Sequence, residues 1–263
     1  FNLSAELADG LLLRAAGSET LIRPSLTDVA YKRTASWSSF RFTDGNPDLK
    51  PTYAKQGEIG LEKYLDNGGL LAASYFRKRI DGVVVSALTG VVEDVAVYNA
   101  NGTLNGYYDF DVYQPVNAKG SYDVDGIELV ANLPLSALHA SLDGFGINAN
   151  YTVLDSSLAG ESSLGIRTPM PGLAEKSWNF TAYYENARFD ARVSYNHKDE
   201  YVESIGYNMY PIWRDAYGQL DVSIGYRISD HLKLSLKGIN MTDEETSGYT
   251  MDPHTACGYV AAE

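Results

Sequence analysis

Strict alternation of apolar and polar side chains is the dominant signal in this chain, and it is cleanest near residues 219–237. Leu220, Val222, Ile224, Tyr226 and Ile228 fall on one face, with Gln219, Asp221, Ser223, Gly225 and Arg227 on the other. After Ser229-Asp230-His231 the pattern resumes, with Leu232, Leu234 and Leu236 set against Lys233, Ser235 and Lys237. A period of two is the signature of a strand, and two such runs around a tight polar turn predict a hairpin.

The same unit recurs from the first residues onward. Leu3, Ala5 and Leu7 end one strand, Ala8-Asp9-Gly10 turns it, and Leu11–Thr20 returns. Asp-Gly supplies the left-handed positions that a tight hairpin needs. Tyr53–Leu65 alternates, Asp66-Asn67-Gly68-Gly69 turns, and Leu70–Val85 returns. Tyr122–Leu133 and Gly146–Leu154 follow, separated by a mid-length connection with room for one helical turn at Leu135–Leu138. Ser177–Glu185 leads through Glu185-Asn186 into Phe189, Ala191, Val193 and Tyr195. With the last hairpin this makes about ten strands of a length comparable to the ~9–11 residues that cross a bilayer at a tilt.

The connections alternate between short and long. The long ones cover roughly residues 21–52, 86–119, 155–175 and 199–216, and prolines such as Pro24, Pro47 and Pro51 keep the first out of helix and sheet interiors. Long loops gathered at one end, strands beyond the usual soluble length and full charges in mid-strand all favour a transmembrane barrel. The polar faces carry Glu58, Glu62, Glu128, Arg192, Asp221, Lys233 and Lys237, and apolar faces often end in Tyr (Tyr151, Tyr184, Tyr195, Tyr226). The expected fold is an all-β, antiparallel, up-and-down transmembrane barrel segment over residues 1–250, with short periplasmic turns and long extracellular loops. Residues 251–263 lose the alternation and read as an irregular, truncated or frame-shifted tail. The opening residues contain no methionine or signal peptide and read as a piece that starts inside a strand. Alternation alone also fits a soluble all-β carbohydrate-binding or adhesin module.

Composition narrows the function classes. The formal charge is −13, which argues against a nucleic-acid partner. A single cysteine, Cys257, excludes an internal disulfide and any multi-cysteine zinc site. Tyr stands at 20 against 8 Phe and 3 Trp, a bias suited to boundaries between apolar and wet surroundings. No run of 18 apolar residues is present, which says nothing about a barrel.

Candidate chemistry is sparse. Asp109/Asp111 and Asp123/Asp125 share strand faces as glycosidase or calcium-binding carboxylates would, yet a solvated acidic loop explains them better. His139, His197, His231 and His254 are scattered, and no glycine-rich phosphate loop occurs. No cofactor and no catalysis are expected. Arg77, Lys78 and Arg79 form a basic cluster that suits an anionic ligand or a lipid phosphate, or plain solvation. The connections hold Tyr98, Tyr107, Tyr108, Tyr113, Tyr207, Tyr210 and Trp213, whose flat faces suit sugars or planar chelates at an outer mouth. Packing of the loops against themselves is the competing role.

Several motifs in order carry a resemblance. Gly45-Asn46-Pro47-Asp48-Leu49-Lys50-Pro51, followed by Glu58-Ile59-Gly60-Leu61-Glu62, resembles the "NPxLKPE … ExGLE" passage of TonB-dependent outer-membrane receptors. Leu13-Arg14-Ala15-Ala16 with Ile22-Arg23-Pro24-Ser25 is similar to a strand and loop of that family. Tyr75-Phe76-Arg77-Lys78-Arg79-Ile80, Gly126-Ile127-Glu128-Leu129 and Ile239-Asn240-Met241-Thr242-Asp243-Glu244 resemble three further family passages. The resemblance implies a Gram-negative outer-membrane location and lipid contact. It also implies energised uptake of a scarce small-molecule nutrient, such as an oligosaccharide or an iron siderophore, with the TonB complex acting through a plug domain. The plug and a final aromatic-ended strand have no counterpart here, so the chain is expected to be the C-terminal part of the barrel.

Overall fold

The computed structural model describes residues 1–66, 68–159, 169–205, 211–251 and 258–261. The strands, in chain order, are β1 (Asn2–Ala8), β2 (Leu11–Ile22), β3 (Arg33–Ser36), β4 (Arg41–Asp44), β5 (Thr52–Tyr64) and β6 (Leu70–Asp81). They continue with β7 (Val84–Tyr98), β8 (Leu104–Asn117), β9 (Ser121–Pro134), β10 (Phe145–Ala159), β11 (Lys176–Glu185) and β12 (Phe189–Lys198). The last are β13 (Tyr201–Ile205), β14 (Pro211–Arg214), β15 (Tyr217–Ser229), β16 (Leu232–Gly238), β17 (Gly248–Met251) and β18 (Gly258–Ala261).

Every strand read from the period-two pattern is present, and they build a ten-stranded sheet in the order β1-β2-β5-β6-β9-β10-β11-β12-β15-β16. The order is the chain order with the excursions left out, as an up-and-down antiparallel wall requires. The β15–β16 hairpin pairs Ile224 with Leu236 and Tyr226 with Leu234, which fixes the apolar side chains to one face. The mid-length connection holds two single 3₁₀ turns, Leu135–Ala137 and Ala140–Leu142. β1 and β16 bound the sheet, each paired within it on one side only.

Chain contacts divide the molecule into two units. The first comprises Phe1–Ser18, Gln56–Lys78 and Tyr122–Glu263; the second comprises Glu19–Lys55 and Arg79–Ser121. In the first unit the two faces of the sheet differ sharply. The polar face is knitted by cross-strand pairs: Arg14 Nε to Glu62 Oε1 at 2.7 Å, Lys233 to Asp190, and Thr181 to Ser194. Among the described residues, many apolar side chains of the other face stand exposed. Leu236 is 72% exposed and Val193, in mid-sheet, is 47% exposed. Water-soluble monomers seldom leave so wide an apolar surface open.

Aromatic residues cluster toward both strand ends of that face. At the short-turn end Phe145 and Tyr184 lie 4.6 Å apart, and Tyr184 and Phe189 6.1 Å apart. Toward the long connections Trp178 lies 5.2 Å from Tyr195 and pairs across the sheet with Tyr151.

The long connections correct the sequence reading. Residues 86–119, read as a long connection without strands of its own, hold β7 and β8, which form a long antiparallel hairpin. Alternation fails there because register shifts between Leu88 and Gly90, Val92 and Val95, and Val97 and Tyr98 change the phase of the pattern. The first connection, read as kept out of helix and sheet interiors by its prolines, holds a one-turn helix α1 (Leu26–Val29) capped by the Ser25 hydroxyl, and the β3–β4 pair. In the second unit these elements form a sheet β3-β4-β8-β7. A further sheet, β13-β14-β17-β18, belongs to the first unit, and β18 lies within the stretch read as an irregular tail.

The core of the second unit is aromatic. Phe110 is fully buried, with Trp37 edge-on at 5.4 Å, Phe40 at 5.7 Å and Phe42 at 4.8 Å. Phe40 adopts a left-handed backbone (φ 46°) that turns the chain from Trp37–Ser39 into β4.

Candidate functional site

The Asn-Pro-Asp-Leu-Lys-Pro motif gains a physical meaning in the second unit. Asn46 donates its side-chain amide to Pro115 O at 2.9 Å and accepts from Asp48 N at 3.0 Å. Gln114 donates to Gly45 O at 2.8 Å. Asn117 accepts from Lys50 N and donates to both Lys50 O and Gly82 O, each bond at 2.8–2.9 Å. Gly45 is required because a Cβ there would collide with the Ala30 carbonyl oxygen. The motif is a clasp that fastens the first long connection to the end of β8. Pro47 and Pro51 have no N–H to satisfy, which suits a segment held by side chains rather than by a ladder.

The clasp positions the β7–β8 hairpin, which bears four of the candidate aromatics. Its tip is shaped by Asn99, whose N–H donates to Thr103 O at 2.8 Å, and by Gly102 at φ +82°. Tyr98 and Tyr107 are 62% and 63% exposed, and both present their rings to the surroundings. Tyr108 does not: it stacks on Phe40 with centroids 4.5 Å apart and planes at 17°. Tyr113 lies beneath the Arg41 guanidinium, which sits 3.8 Å from its ring centroid. Alternation along β8 places Tyr108 and Phe110 on the packed face, and Tyr107, Asp109, Asp111 and Tyr113 on the other.

Trp213 belongs to the other unit. Its ring stacks on Tyr249 at 6.3 Å and 6°, and its indole Nε1 is buried with no partner among the described residues. The Tyr249 hydroxyl donates to Glu200 Oε2 at 3.3 Å, and burial, reinforced by that carboxylate, pushes the phenol above its usual range. Tyr207 and Tyr210 lie outside the described residues.

Sequence reading missed Trp37, Phe40, Phe42 and Arg41. The signal was present in Phe40-Arg41-Phe42, whose two rings alternate with a cation as a strand would place them. It also missed Tyr249 as the partner of Trp213. Of the basic cluster, Arg79 pairs with Asp81 at 3.6 Å. Asp109 accepts from the backbone of Asp94 at 3.1 Å, in a bulge where Asp94 has φ 55°. Among the described residues no group of three or more His, Cys, Asp or Glu is gathered as metal ligands would be. The surface thus offers flat aromatic contact and a few oriented polar groups.

A family model described as "TonB dependent receptor-like, beta-barrel" matches residues 1–241. Hemoglobin-binding protein A of Haemophilus influenzae is 26% identical over 194 residues, which cover 73% of this chain and 18% of that protein. Vitamin B12 transporter BtuB of Vibrio vulnificus is 25% identical over 203 residues, covering 77% of this chain and 27% of that one. The siderophore receptor PirA of Acinetobacter baumannii has a similar fold, with a TM-score of 0.67 and 17% identity over 92% of this chain and 36% of that chain. The chain therefore spans about a fifth to a quarter of the length of these two sequence relatives.

Proposed function

From the premise that the chain belongs to the TonB-dependent receptor β-barrel family, we propose that it forms wall and outer mouth of a Gram-negative outer-membrane receptor for nutrient uptake. The observation that carries this reading is the uncovered apolar face of the ten-stranded sheet, with Leu232, Leu234 and Leu236 all more than half exposed. In a membrane that face meets hydrocarbon, and the charged face lines a wet interior. A water-soluble adhesin or carbohydrate-binding module would have to cover the same face.

The ligand class in this proposal is a scarce small molecule with an extended flat or chelate surface, such as an iron siderophore or a tetrapyrrole. Named relatives bind hemoglobin and transport vitamin B12, and a neighbour in structure is a siderophore receptor. Tyr98 and Tyr107 supply the aromatic contact, with Trp213, Tyr207 and Tyr210 as further candidates. Oligosaccharides are the second class that such rings bind. The chain acts by binding and passage rather than by bond chemistry. Energy would reach it through TonB and a plug domain.

The test is expression of the full-length receptor gene, followed by gel migration with and without heating and by uptake of labelled ferric siderophore, cobalamin, haem or oligosaccharide. A heat-modifiable outer-membrane band with uptake of one of these is expected. A compact monomer that folds in water without detergent would overturn the reading.

A further inference from the structure

One residue on the apolar face is out of keeping with its chemistry. Lys63 follows Ile59 and Leu61 at the same period-two phase on β5, so its stem lies on the apolar side. It sits at the short-turn end, because Tyr64 N donates to Gly10 O at 2.7 Å and Leu65 N donates to Gly69 O at 2.8 Å. The Lys63 ammonium reaches the first turn and donates to the Asp9 carbonyl at 2.6 Å. A cation is therefore held at the margin of the apolar band, where a lysine stem lies along hydrocarbon and its head seeks polar partners.

Beside Lys63 the face is hollow. A largely apolar depression of about 680 Å³ is lined by Leu61, Lys63, Ala73, Ala131, Ala149 and Trp178, among others. The three alanines come from the successive neighbours β6, β9 and β10, whose methyl groups leave the space that larger side chains fill elsewhere on the face. The volume falls within the roughly 300–1,000 Å³ of small-molecule sites. The hollow extends from the short-turn end of β5 to Trp178 on β11, toward the long connections.

We infer that this groove seats one acyl chain of a glycerophospholipid whose phosphate is met by the Lys63 ammonium, an inference that rests on the apolar face meeting the membrane. Two features make the occupant a phospholipid rather than any apolar partner. The groove has a charged group at one end only, and that end lies at the short turns, where a headgroup of the periplasmic leaflet lies. Loose bulk lipid would fill the hollow without selection. A charge-assisted bond from Lys63 in a low-dielectric margin, added to chain contacts along the groove, holds one molecule longer than its neighbours. Two of the three ammonium protons remain for the phosphate once Asp9 O is served.

The experiment purifies the full-length receptor from outer membranes in mild detergent, washes it extensively, and quantifies retained phospholipid after solvent extraction. The native protein is expected to keep a stoichiometric phospholipid. Lys63→Gln and Ala131→Leu are each expected to lower retention about tenfold, the size expected for losing one charged hydrogen bond or the groove itself. Leu236→Phe, on the same face but outside the groove, should leave it unchanged. Should Ala131→Leu fail to fold, Lys63→Gln alone decides, since it removes the charge at the margin without adding bulk. Native protein washed free of phospholipid, or equal retention in native and Lys63→Gln protein, overturns the inference while heat-modifiable migration keeps the barrel reading intact. A receptor that never migrates as a folded barrel overturns both.

Discussion

Asn117 holds Lys50 by both backbone groups at once: its side-chain carbonyl accepts from the Lys50 N–H at 2.9 Å, and its amide donates to the Lys50 carbonyl at 2.9 Å. The amide thus mimics a β-ladder partner for a segment flanked by prolines. Asn240 does the same for Glu244, accepting from its N–H at 2.9 Å and donating to its carbonyl at 3.0 Å. Lys50 and Asn240 lie in passages that resemble family motifs, and each asparagine fastens an irregular stretch. Asn240 also donates its N–H to Asp221 on β15 at 2.9 Å.

Asn117→Ala removes three hydrogen bonds from the clasp and should loosen residues 45–52 by about 2–3 kcal/mol, at roughly 0.5–1.5 kcal/mol net per bond. Hydrogen exchange across that stretch measures this. Unchanged protection of the Lys50 amide would show that the backbone is held by other means. Asn117→Asp, which keeps the acceptor but not the donors, should fall between the two.

The β3–β4 pair should open in acid. Arg33 grips Asp44 through both Nε and Nη2, each at 2.7 Å, and its hydrogen bonds hold the Asp44 carboxyl below the usual carboxylate range. A depressed folded value means that the stabilisation is present above the unfolded value near ~3.9 and is lost as pH falls through the folded one. Arg33 is half exposed, so solvent screening limits the effect to under about 1 kcal/mol. Hydrogen exchange of Thr34 and Ala35 should speed up below about pH 4. In Asp44→Asn protein it should be fast already at neutral pH and change little with acid.

Position on the two sheet faces sets the response to charge. Val193 and Ser194 are adjacent on β12, the first on the apolar face and paired with Val222, the second on the polar face and paired with Asp221. Val193→Lys should cost about 2–4 kcal/mol in refolding into lipid vesicles, the range for a lysine near mid-bilayer, whereas Ser194→Lys should cost well under ~1 kcal/mol. Urea titration of the refolded protein gives both numbers. Equal costs would place neither face in hydrocarbon.

Neighbouring tyrosines on β8 should separate binding from stability. Tyr107 is exposed and Tyr108 is stacked on Phe40. Tyr107→Ala should weaken ligand binding about tenfold, equivalent to ~1.4 kcal/mol of aromatic contact, and leave unfolding unchanged. Tyr108→Ala should instead destabilise the β7–β8 hairpin, with its effect on binding following from that loss. Titration of whole cells with labelled ligand, together with limited proteolysis, distinguishes the two.

The wall was legible in the sequence because its strands set apolar side chains on one face and polar ones on the other, so alternation runs unbroken from Leu220 to Ile228. The hairpin β7–β8 was not, since each bulge resets the phase and its Val-rich stretch is interrupted by Gly90 and Asp94. The division of labour between Tyr107 and Tyr108 was equally hidden. Spacing gives opposite faces to adjacent residues, but which face is packed depends on Phe40, far away in the chain. Trp213 was singled out by its ring alone; its partner Tyr249 comes from a strand distant in sequence.

The excursions from the wall share one geometry. The chain leaves from β2, β6, β10 or β12 and returns on β5, β9, β11 or β15, in each case the very strand that pairs with the one it left. A residue gained or lost in an excursion therefore moves no rung of the ladder, because the strands on either side are already in register with each other. The connections are thus free to lengthen, shrink or be exchanged in evolution while the register of the wall stays as it is.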